Sequence, residues 1–316
     1  MNRKVTIIGA GAVGSSIGYL LVAESMASEI VFIDINKEKA LGEAMDIYQA
    51  TPFLSPAIVR AGDYPDAENS DLVIITSGVA RKPGQTRIDL AQTNVNILKS
   101  IAPEITKYAP DAIYIIVANP VDVLTYTFHQ ITNIPSERII GSGTSLDTAR
   151  LRTRLSEIYK VSPKQVHANV LGEHGDTSFI PWSMARIAGV PLEEYSAVIT
   201  DKENGEVNFS KEEVLEYVKK SGGVIIARKG ATYNGVAAAV VYICKALFSG
   251  VDSILCVSTL LKGEYGIKDV CISIPVVLGK EGIVSTLTPT LTDEEVALLQ
   301  KSADAMKSVI NEVNCK

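Results

Sequence analysis

The stretch of sequence that decides the fold is KVTIIGAGAVGSSIGYLLVA, residues 4–23. An apolar run of strand length, residues 4–8, passes directly into the glycine-rich turn GAGAVG at 9–14, and residues 15–23 have a helical pattern. This order of strand, glycines and helix is the context in which a G-x-G-x-x-G turn holds a dinucleotide pyrophosphate at a helix N-terminus. The stretch therefore predicts the first unit of a dinucleotide-binding parallel sheet.

The glycines of this turn have separate predicted roles. Gly9 permits the tight turn, Gly11 lets the backbone approach a pyrophosphate, and Gly14 lets the helix lie close to the sheet. A second apolar strand, IVFID, ends at Asp34, twenty residues after Gly14. A carboxylate there accepts hydrogen bonds from both ribose hydroxyls and repels a 2′-phosphate, so NAD is predicted rather than NADP. The cofactor-binding residues predicted in the turn are Gly9, Gly11, Ala12, Val13 and Gly14.

Two more apolar runs, LVIIT at 72–76 and IYIIV at 113–117, alternate with helical patterns, which is typical of βαβ units. Ligands bind at the carboxyl ends of such strands. The further cofactor-binding residues predicted there are Thr76, Ser77, Gly78, Val117 and Asn119. A phosphate-binding NTPase loop is not predicted, because Gly78 to Gly84 lacks the G-x-x-x-x-G-K-[ST] spacing. The sequence thus predicts an α/β fold, with a doubly wound parallel (Rossmann) sheet over residues 1–142.

Composition and charge restrict the function classes. The chain has 316 residues, of which 47% are hydrophobic, so a two-part soluble protein is expected. A net charge of -6 and the absence of basic runs longer than two residues argue against nucleic acid and membrane as partners. Four irregularly spaced cysteines suggest neither a zinc site nor disulfides, and they favour a reducing cytoplasm. The glycines within residues 5–23 argue against a signal peptide or a membrane helix.

A different pattern begins near residue 143, and residues 143–316 are predicted to form a second, α+β domain that binds substrate. The helical stretch at 145–159 places Asp147 and Arg150 on nearly the same face, with Arg152 about 140° away from Asp147. Downstream, His174 lies in the glycine-flanked loop of HANVLGEHGD. A metal site is one interpretation of this loop, but with three histidines in the chain and no H-E-x-x-H motif no metal is predicted.

The remaining segments are predicted to be scaffold. Two strands joined by a turn are expected within 253–275, and a T-x-x-E box predicts a helix that begins after Thr292. A third prediction is a helix capped by Ser210 that breaks at Gly222 and Gly223.

Six motifs occur together in one order: GAGAVG with Asp34, RKPGQTR at 81–87, NPVD at 119–122, LDTAR at 146–150, GEHGD at 172–176 and KGATYNG at 229–235. In order and spacing they resemble the NAD-dependent lactate and malate dehydrogenase family, and the resemblance covers essentially the whole chain. Within the family, the chain is most similar to the bacterial L-lactate dehydrogenases.

The resemblance implies a role for each polar residue of these motifs. His174 would shuttle the proton, Asp147 would orient its imidazole, and Arg150 would hold the substrate carboxylate. Arg87 would polarise the carbonyl, and Asn119 would lie near the substrate oxygen. The chemistry needs the same residue types, because a 2-hydroxy acid that loses a hydride also needs a base of near-neutral pKa. A forked guanidinium binds a carboxylate through two parallel hydrogen bonds.

The substrate prediction depends on two positions that disagree. The resemblance places Arg81 against the substituent of the substrate, where a cation favours oxaloacetate and therefore a malate dehydrogenase. Thr232 and the stretch at 181–192 are similar to lactate enzymes. We predict an L-lactate dehydrogenase that acts on pyruvate and L-lactate, with malate dehydrogenase as the alternative. A catalytically silent NAD-binding sensor is a third hypothesis, and it predicts a damaged set of catalytic residues.

Arg152 and His167 match the pair that binds fructose 1,6-bisphosphate between subunits in bacterial L-lactate dehydrogenases. The resemblance therefore implies an allosteric effector and a homo-oligomer, expected to be a tetramer. The alternative for this pair is a salt bridge and a partly buried histidine.

Overall fold

The structure of the chain is a computed structural model, and it describes residues 3–80, 84, 86–198 and 209–315. The strands in these ranges are β1 (Lys4–Ile8), β2 (Glu29–Ile33), β3 (Ile58–Ala61), β4 (Leu72–Ile75), β5 (Ile113–Ile116), β6 (Ile139–Gly141), β7 (Val166–His167), β8 (Arg186–Ile187), β9 (Val190–Pro191), β10 (Ser253–Lys262), β11 (Lys268–Gly279) and β12 (Gly282–Thr286). The helices are α1 (Ala12–Ala23), α2 (Lys37–Ala50), α3 (Arg87–Tyr108), α4 (Val121–Ile131), α5 (Ser145–Tyr159), α6 (Leu192–Val198), α7 (Lys211–Lys229), α8 (Asn234–Phe248) and α9 (Asp293–Glu312). No helix in the described ranges is long and apolar enough to span a bilayer.

The described part of the chain contains one nine-stranded sheet with the order β12-β11-β10-β6-β5-β4-β1-β2-β3. Its six strands from β6 to β3 pair in parallel, in the doubly wound order 3-2-1-4-5-6. The strands β1, β2, β4 and β5 are buried along almost their whole length, as expected for parallel strands with helices on both faces. The predicted Rossmann sheet is confirmed.

The second half of the chain extends this sheet and adds a smaller one. The strands β10, β11 and β12 are antiparallel, and β10 joins β6 through the pair Ser258 and Gly141. The strands β10 and β11 are those predicted within 253–275. A separate sheet, β7-β8-β9, shares a small core with α5 and α7 that contains Leu155, Val166 and Val218. The division into domains at 142/143 stays a prediction.

Helix α1 begins at Ala12, three residues earlier than the sequence pattern indicated. The last glycine of the turn therefore lies inside the helix, where a Cβ on Gly14 would be 2.0 Å from the carbonyl oxygen of Gly9. One turn later, a Cβ on Gly18 would be 2.4 Å from the ring of Phe32 on β2. The two glycines thus allow α1 to lie against the turn and the sheet.

The prediction that the helix after Ser210 breaks at Gly222 and Gly223 is wrong. Helix α7 runs without interruption to Lys229, and the Ser210 side chain accepts a hydrogen bond from the backbone N of Glu213 at its start. A glycine in a helix interior costs about 1 kcal/mol relative to alanine. The packing of α7 on α5 offsets two such costs.

Candidate active site

A cleft of about 420 Å³ lies between the carboxyl ends of the parallel strands and the helices α5, α7 and α8. Some members of each group of predicted site residues line it. Those predicted for the cofactor are Val13, Thr76, Gly78, Val117 and Asn119, and those predicted for the substrate are Asp147, Arg150, His174 and Thr232. The structure therefore brings together side chains from positions 13 to 232 in one cavity.

The glycine turn leaves room for a ligand at one position only. Gly9 has a φ of +105°, and a Cβ there would lie 2.6 Å from the hydroxyl oxygen of Thr76 and 2.9 Å from the backbone nitrogen of Ser77. A Cβ on Gly11 would have no neighbour within 4 Å among the residues that the structure describes. Gly11 is also the N-cap of α1 and provides no side-chain acceptor for the N–H groups of the first turn. The open space and the helix N-terminus fit the pyrophosphate of NAD.

Asp34 follows β2 and is held in a fixed orientation. Its Oδ2 accepts a hydrogen bond from the backbone N of Ala10 at 2.7 Å, and its Oδ1 accepts one from Asn36 at 2.8 Å. The carboxylate therefore lies beside the glycine turn, where the adenosine ribose of NAD would be expected. The remaining lone pairs of its oxygens are suited to the ribose hydroxyls.

Asn119 lies in the cleft beside a residue that the sequence analysis missed. The side chain of Asn94, buried on α3, donates to the carbonyl oxygen of Asn119 at 2.6 Å. It also bonds both backbone groups of Val79, accepting from the N–H at 2.8 Å and donating to the oxygen at 3.2 Å. Asn94 thus joins Val79 to the NPVD segment. In the sequence, its only signal was an amide side chain at one of the positions where the helical pattern otherwise has apolar residues.

His174, Asp147 and Arg150 form a chain of contacts. The Nδ1 of His174 lies 2.5 Å from Oδ2 of Asp147, and Nη1 of Arg150 donates to Oδ1 of Asp147 at 2.9 Å. The side chain of Asp147 is 7% exposed, whereas those of Arg150 and His174 are 14% and 27% exposed. The acid therefore lies beneath the two groups, and the imidazole and guanidinium open into the cleft.

The surrounding charges set the pKa of His174 and of Asp147. Burial alone would lower the pKa of His174, but the charge and hydrogen bond of Asp147, with the further charge of Asp122, raise it above 6.5. Burial alone would raise the pKa of Asp147, but the charges and hydrogen bonds of His174 and Arg150 lower it below 3.8. A carboxylate beside an imidazole stabilises the imidazolium, so the pair favours a protonated His174.

A second buried carboxylate, Asp122, lies behind the histidine. Its Oδ2 accepts a hydrogen bond from the backbone N–H of His174 at 2.7 Å. Burial raises the pKa of Asp122 to about 6, and the Ser258 hydroxyl and the His174 N–H offset this only in part. The NPVD motif contains this residue, but the sequence offered no role for it, because the contact joins positions 52 residues apart.

Glu173 fixes the loop that carries the histidine. Its Oε1 accepts hydrogen bonds from both the backbone N and the hydroxyl of Thr177, at 2.8 and 2.7 Å. Its own backbone N–H donates to the hydroxyl of Ser302 on α9 at 2.7 Å. The buried glutamate therefore holds the loop in shape and fastens it to the C-terminal helix.

Arg87 is the first residue of α3 and reaches the same loop. Its Nη2 lies 2.5 Å from Oδ2 of Asp176, and both side chains are largely exposed, at 64% and 69%. From the other side, Nζ of Lys219 on α7 donates to the carbonyl oxygen of Asp176 at 2.6 Å. Asp176 thus connects α3, the histidine loop and α7. Arg81, predicted to contact the substituent of the substrate, lies outside the described residues.

Arg152 and His167 line a second and larger cavity, of about 1120 Å³. Arg152 donates to the carbonyl oxygen of Ala168 and to Oδ1 of Asn169, both at 3.0 Å. His167 is exposed on β7. Among the described residues, Arg152 bonds neutral oxygens and His167 is open to solvent, so they do not show the alternative of a salt bridge and a partly buried histidine.

Family models match both parts of the chain. The model for the lactate/malate dehydrogenase NAD binding domain matches residues 3–141, and the model for the lactate/malate dehydrogenase alpha/beta C-terminal domain matches residues 144–316. The chain belongs to the lactate/malate dehydrogenase family. Membership confirms the predicted family, and NAD as the cofactor. It makes the chain an NAD-dependent 2-hydroxy acid dehydrogenase.

Individual members of the family are similar over their whole length. An L-lactate dehydrogenase of Acetivibrio thermocellus is 46% identical, over 98% of this chain and 96% of that protein. L-lactate dehydrogenase 1 of Clostridium acetobutylicum is 44% identical, over 99% of each. Among solved structures, the lactate dehydrogenase MGS-M5 from a deep-sea metagenome superposes with a TM-score of 0.94 at 37% identity, covering 98% of both chains. The minor L-lactate dehydrogenase of Enterococcus mundtii gives 0.93 at 36% identity, covering 100% of this chain and 99% of that one.

Proposed function

We propose that the protein is an L-lactate dehydrogenase that interconverts pyruvate and L-lactate. The observation that carries this proposal is the chain of contacts from Arg150 through Asp147 to His174, which opens into the same cleft as the glycine turn. In this proposal the imidazole is the proton donor and the guanidinium is the fork that binds the substrate carboxylate, both beside the nicotinamide. The names of the relatives support lactate as the 2-hydroxy acid.

The overall reaction is pyruvate + NADH + H⁺ → L-lactate + NAD⁺. NAD, when bound, supplies or accepts the hydride. His174 gives its proton to the carbonyl oxygen of pyruvate from Nε2, because Nδ1 faces Asp147. Arg150 keeps Nη2 for the substrate carboxylate while Nη1 bonds Asp147. Arg87 brings a second cation to the loop of His174, where it can polarise the carbonyl.

The pKa of His174 sets the direction of the pH dependence. Pyruvate reduction needs the imidazolium, and lactate oxidation needs the neutral imidazole. Because the pKa of His174 is raised above 6.5, the reductive kcat/KM is expected to be constant in weakly acidic solution and to fall as pH rises through that pKa. The oxidative kcat/KM is expected to rise over the same interval.

We also propose that the cavity lined by Arg152 and His167 binds fructose 1,6-bisphosphate between subunits of a tetramer. The basic side chains of Arg152, Lys164 and Lys229 line it, and they suit phosphate groups. Tyr242 and Ile254, which also line the cavity, are 57% and 64% exposed, and a second subunit would cover them. The spacing of the cysteines supports the cytoplasm as the proposed location.

Steady-state NADH oxidation tests the function. Pyruvate and oxaloacetate are compared, each with and without fructose 1,6-bisphosphate. We expect a higher kcat/KM with pyruvate, and a lower KM for pyruvate when the effector is present. A higher kcat/KM with oxaloacetate would contradict the substrate assignment, and no turnover of either acid would favour the NAD-binding sensor.

A further inference from the structure

A polar residue, Ser302, lies on the buried face of the C-terminal helix α9, and it is fully buried there. Its nearest buried neighbours on the helix are apolar, namely Leu299, Ala303 and Met306. Burying a hydroxyl costs free energy unless it is hydrogen-bonded. The hydroxyl oxygen of Ser302 accepts a hydrogen bond from the backbone N–H of Glu173 at 2.7 Å. The serine therefore finds its partner in the loop that carries His174, 129 residues away along the chain.

This loop comes close to Ser302 at both of its ends. At one end, Gly172 has a φ of +88°, and a Cβ there would lie 2.6 Å from Oγ and 3.0 Å from Cβ of Ser302. At the other end, the hydroxyl of Thr177 is hydrogen-bonded to the same Oγ at 3.0 Å. The serine hydroxyl therefore lies against the whole width of the loop, and a glycine allows the close approach.

The base of the loop is anchored without Ser302. Leu171 and Phe179 exchange backbone hydrogen bonds at 2.9 and 3.1 Å. Gly172 exchanges a second pair with Ser273 on β11, at 3.0 and 2.8 Å. These bonds would keep the loop closed and attached to β11 if the serine hydroxyl were removed. They do not fix the backbone between Gly172 and His174.

That part of the backbone is fixed by side chains of two different helices. The N–H of Glu173 donates to Ser302 on α9 at 2.7 Å. The next N–H, that of His174, donates to Oδ2 of Asp122 on α4, also at 2.7 Å. Holding two successive N–H groups fixes both backbone rotations of the residue between them. The direction in which the His174 side chain leaves the loop is therefore set, and its Nδ1 lies 2.5 Å from Oδ2 of Asp147.

We propose that Ser302 is a positioning residue for His174, because its hydroxyl fixes the backbone immediately before the histidine. This inference rests on the proposed function, in which His174 gives its proton to the substrate carbonyl. Without the hydroxyl, the N–H of Glu173 would be buried without this acceptor, and the loop would rearrange to satisfy it. The rearrangement would carry the imidazole away from Asp147 and from the substrate oxygen. A misplacement of about 1 Å can cost about 100-fold in rate.

Ser302→Ala tests the proposal, because it removes the acceptor while alanine favours the helix. Pyruvate reduction is measured by NADH oxidation, and the active sites are counted by titration with NADH, which reports only folded enzyme. Expressed per NADH-binding site, kcat/KM is expected to fall roughly 10- to 100-fold. The fall is expected mostly in kcat, because Arg150 still binds the substrate carboxylate. A merely structural role would lower the thermal midpoint and leave kcat/KM per site unchanged.

The pH profile of the same variant gives a second measurement. Burial lowers the pKa of His174, and the charge and hydrogen bond of Asp147 are the main causes that raise it. A longer contact between the two side chains weakens these causes, so the pKa of His174 should be lower in Ser302→Ala. The fall of the reductive kcat/KM with rising pH is therefore expected to begin at a lower pH than in the wild type.

Two control variants show which contact matters. Ser308 is exposed on the same helix, and its hydroxyl contacts Glu312 at 3.4 Å, so Ser308→Ala is expected to change neither kcat/KM nor the pH profile. Thr177→Ala removes the second partner of Ser302 but leaves the acceptor of the Glu173 N–H in place. Its loss of kcat/KM is expected to be smaller than that of Ser302→Ala.

If Ser302→Ala does not fold, Ser302→Cys gives the same comparison, because a thiol fills the position and is a weaker acceptor than a hydroxyl. It is expected to lower kcat/KM per NADH-binding site and to shift the pH profile in the same direction as Ser302→Ala.

Three outcomes would overturn the inference. They are a kcat/KM per NADH-binding site within threefold of the wild type in Ser302→Ala, an unchanged pH profile, and an equal loss in Ser308→Ala. Faster turnover of oxaloacetate than of pyruvate by the wild type would contradict the proposed function alone, because the effect of Ser302→Ala can then be measured with oxaloacetate. Turnover of neither acid by the wild type would overturn both.

Discussion

Replacing the buried Asp122 with asparagine is expected to stabilise the protein in neutral solution. The pKa of Asp122 is about 6 in the folded protein, against an ordinary value of 3.8. The contribution of Asp122 to the free energy of unfolding is therefore highest below about pH 4, where it is protonated, and it falls as pH rises through 6. At 1.36 kcal/mol for each pKa unit, about 2 kcal/mol is lost by pH 5 and about 3 kcal/mol by pH 8. Asparagine avoids this loss, because it is neutral throughout and still accepts the N–H of His174.

Urea unfolding at pH 5 and pH 8, followed by the fluorescence of Trp182, measures the effect. The free energy of unfolding of Asp122→Asn is expected to exceed that of the wild type, and to do so by about 1 kcal/mol more at pH 8 than at pH 5. The charge of Asp122 also raises the pKa of His174. The pH profile of pyruvate reduction is therefore expected to shift to lower pH in the variant.

Asp147→Asn is the matched control, because it changes another buried carboxylate that contacts His174. The pKa of Asp147 is lowered in the folded protein. Its charge therefore contributes stability above the ordinary pKa of 3.8, and the substitution is expected to destabilise the protein at pH 8. If Asp122→Asn were also less stable than the wild type at pH 8, or if its advantage did not grow from pH 5 to pH 8, the account of Asp122 as a costly buried charge would be wrong.

Three other substitutions test the site. Arg150→Lys keeps the charge but loses the forked pair of hydrogen bonds. It is expected to lower kcat/KM for pyruvate by roughly 10- to 150-fold, mostly by raising KM. A change below threefold would contradict the role of Arg150 in binding the substrate carboxylate. Asp176→Asn breaks an exposed ion pair with Arg87, so the free energy of unfolding should change by less than about 1 kcal/mol. The kcat for pyruvate should fall, and an unchanged kcat would show that the ion pair does not position Arg87. Gly14→Ala places a Cβ 2.0 Å from a backbone oxygen and should lower the thermal midpoint and weaken NAD binding together, measured by scanning fluorimetry and titration.

The elements that the sequence predicted well are those whose signal is local. Continuous apolar runs identified the buried parallel strands, and the box at Thr292 and Glu295 identified the start of α9. The helical pattern of α5 predicted that Asp147 and Arg150 project from nearly the same face, and the structure shows an ion pair between them. In each case the spacing of neighbouring residues carries the information.

The features that the sequence predicted wrongly, or did not predict, depend on contacts between residues far apart in the chain. The glycines of α7 looked like a helix end because their propensity is local, whereas the packing on α5 that keeps the helix intact is not. Asn94 and Asp122 were missed because their partners lie 25 and 52 residues away. The pairing of Arg87 with Asp176 joins the exposed first residue of α3 to an exposed loop residue, and no periodic pattern relates the two.

The pairing of β10 with β6 has a consequence for how this chain can be divided. Backbone hydrogen bonds run from the nucleotide-binding strands into the antiparallel strands of the second half, and α4 packs on β10 and β11. A fragment that stopped at residue 142 would expose the edge of β6 and the apolar face of α4 to water. Unpaired strand edges of this kind pair with other chains. Separate expression of either half should therefore yield aggregates. Mixing the two halves should recover activity only if they associate with each other before the exposed strand edges aggregate.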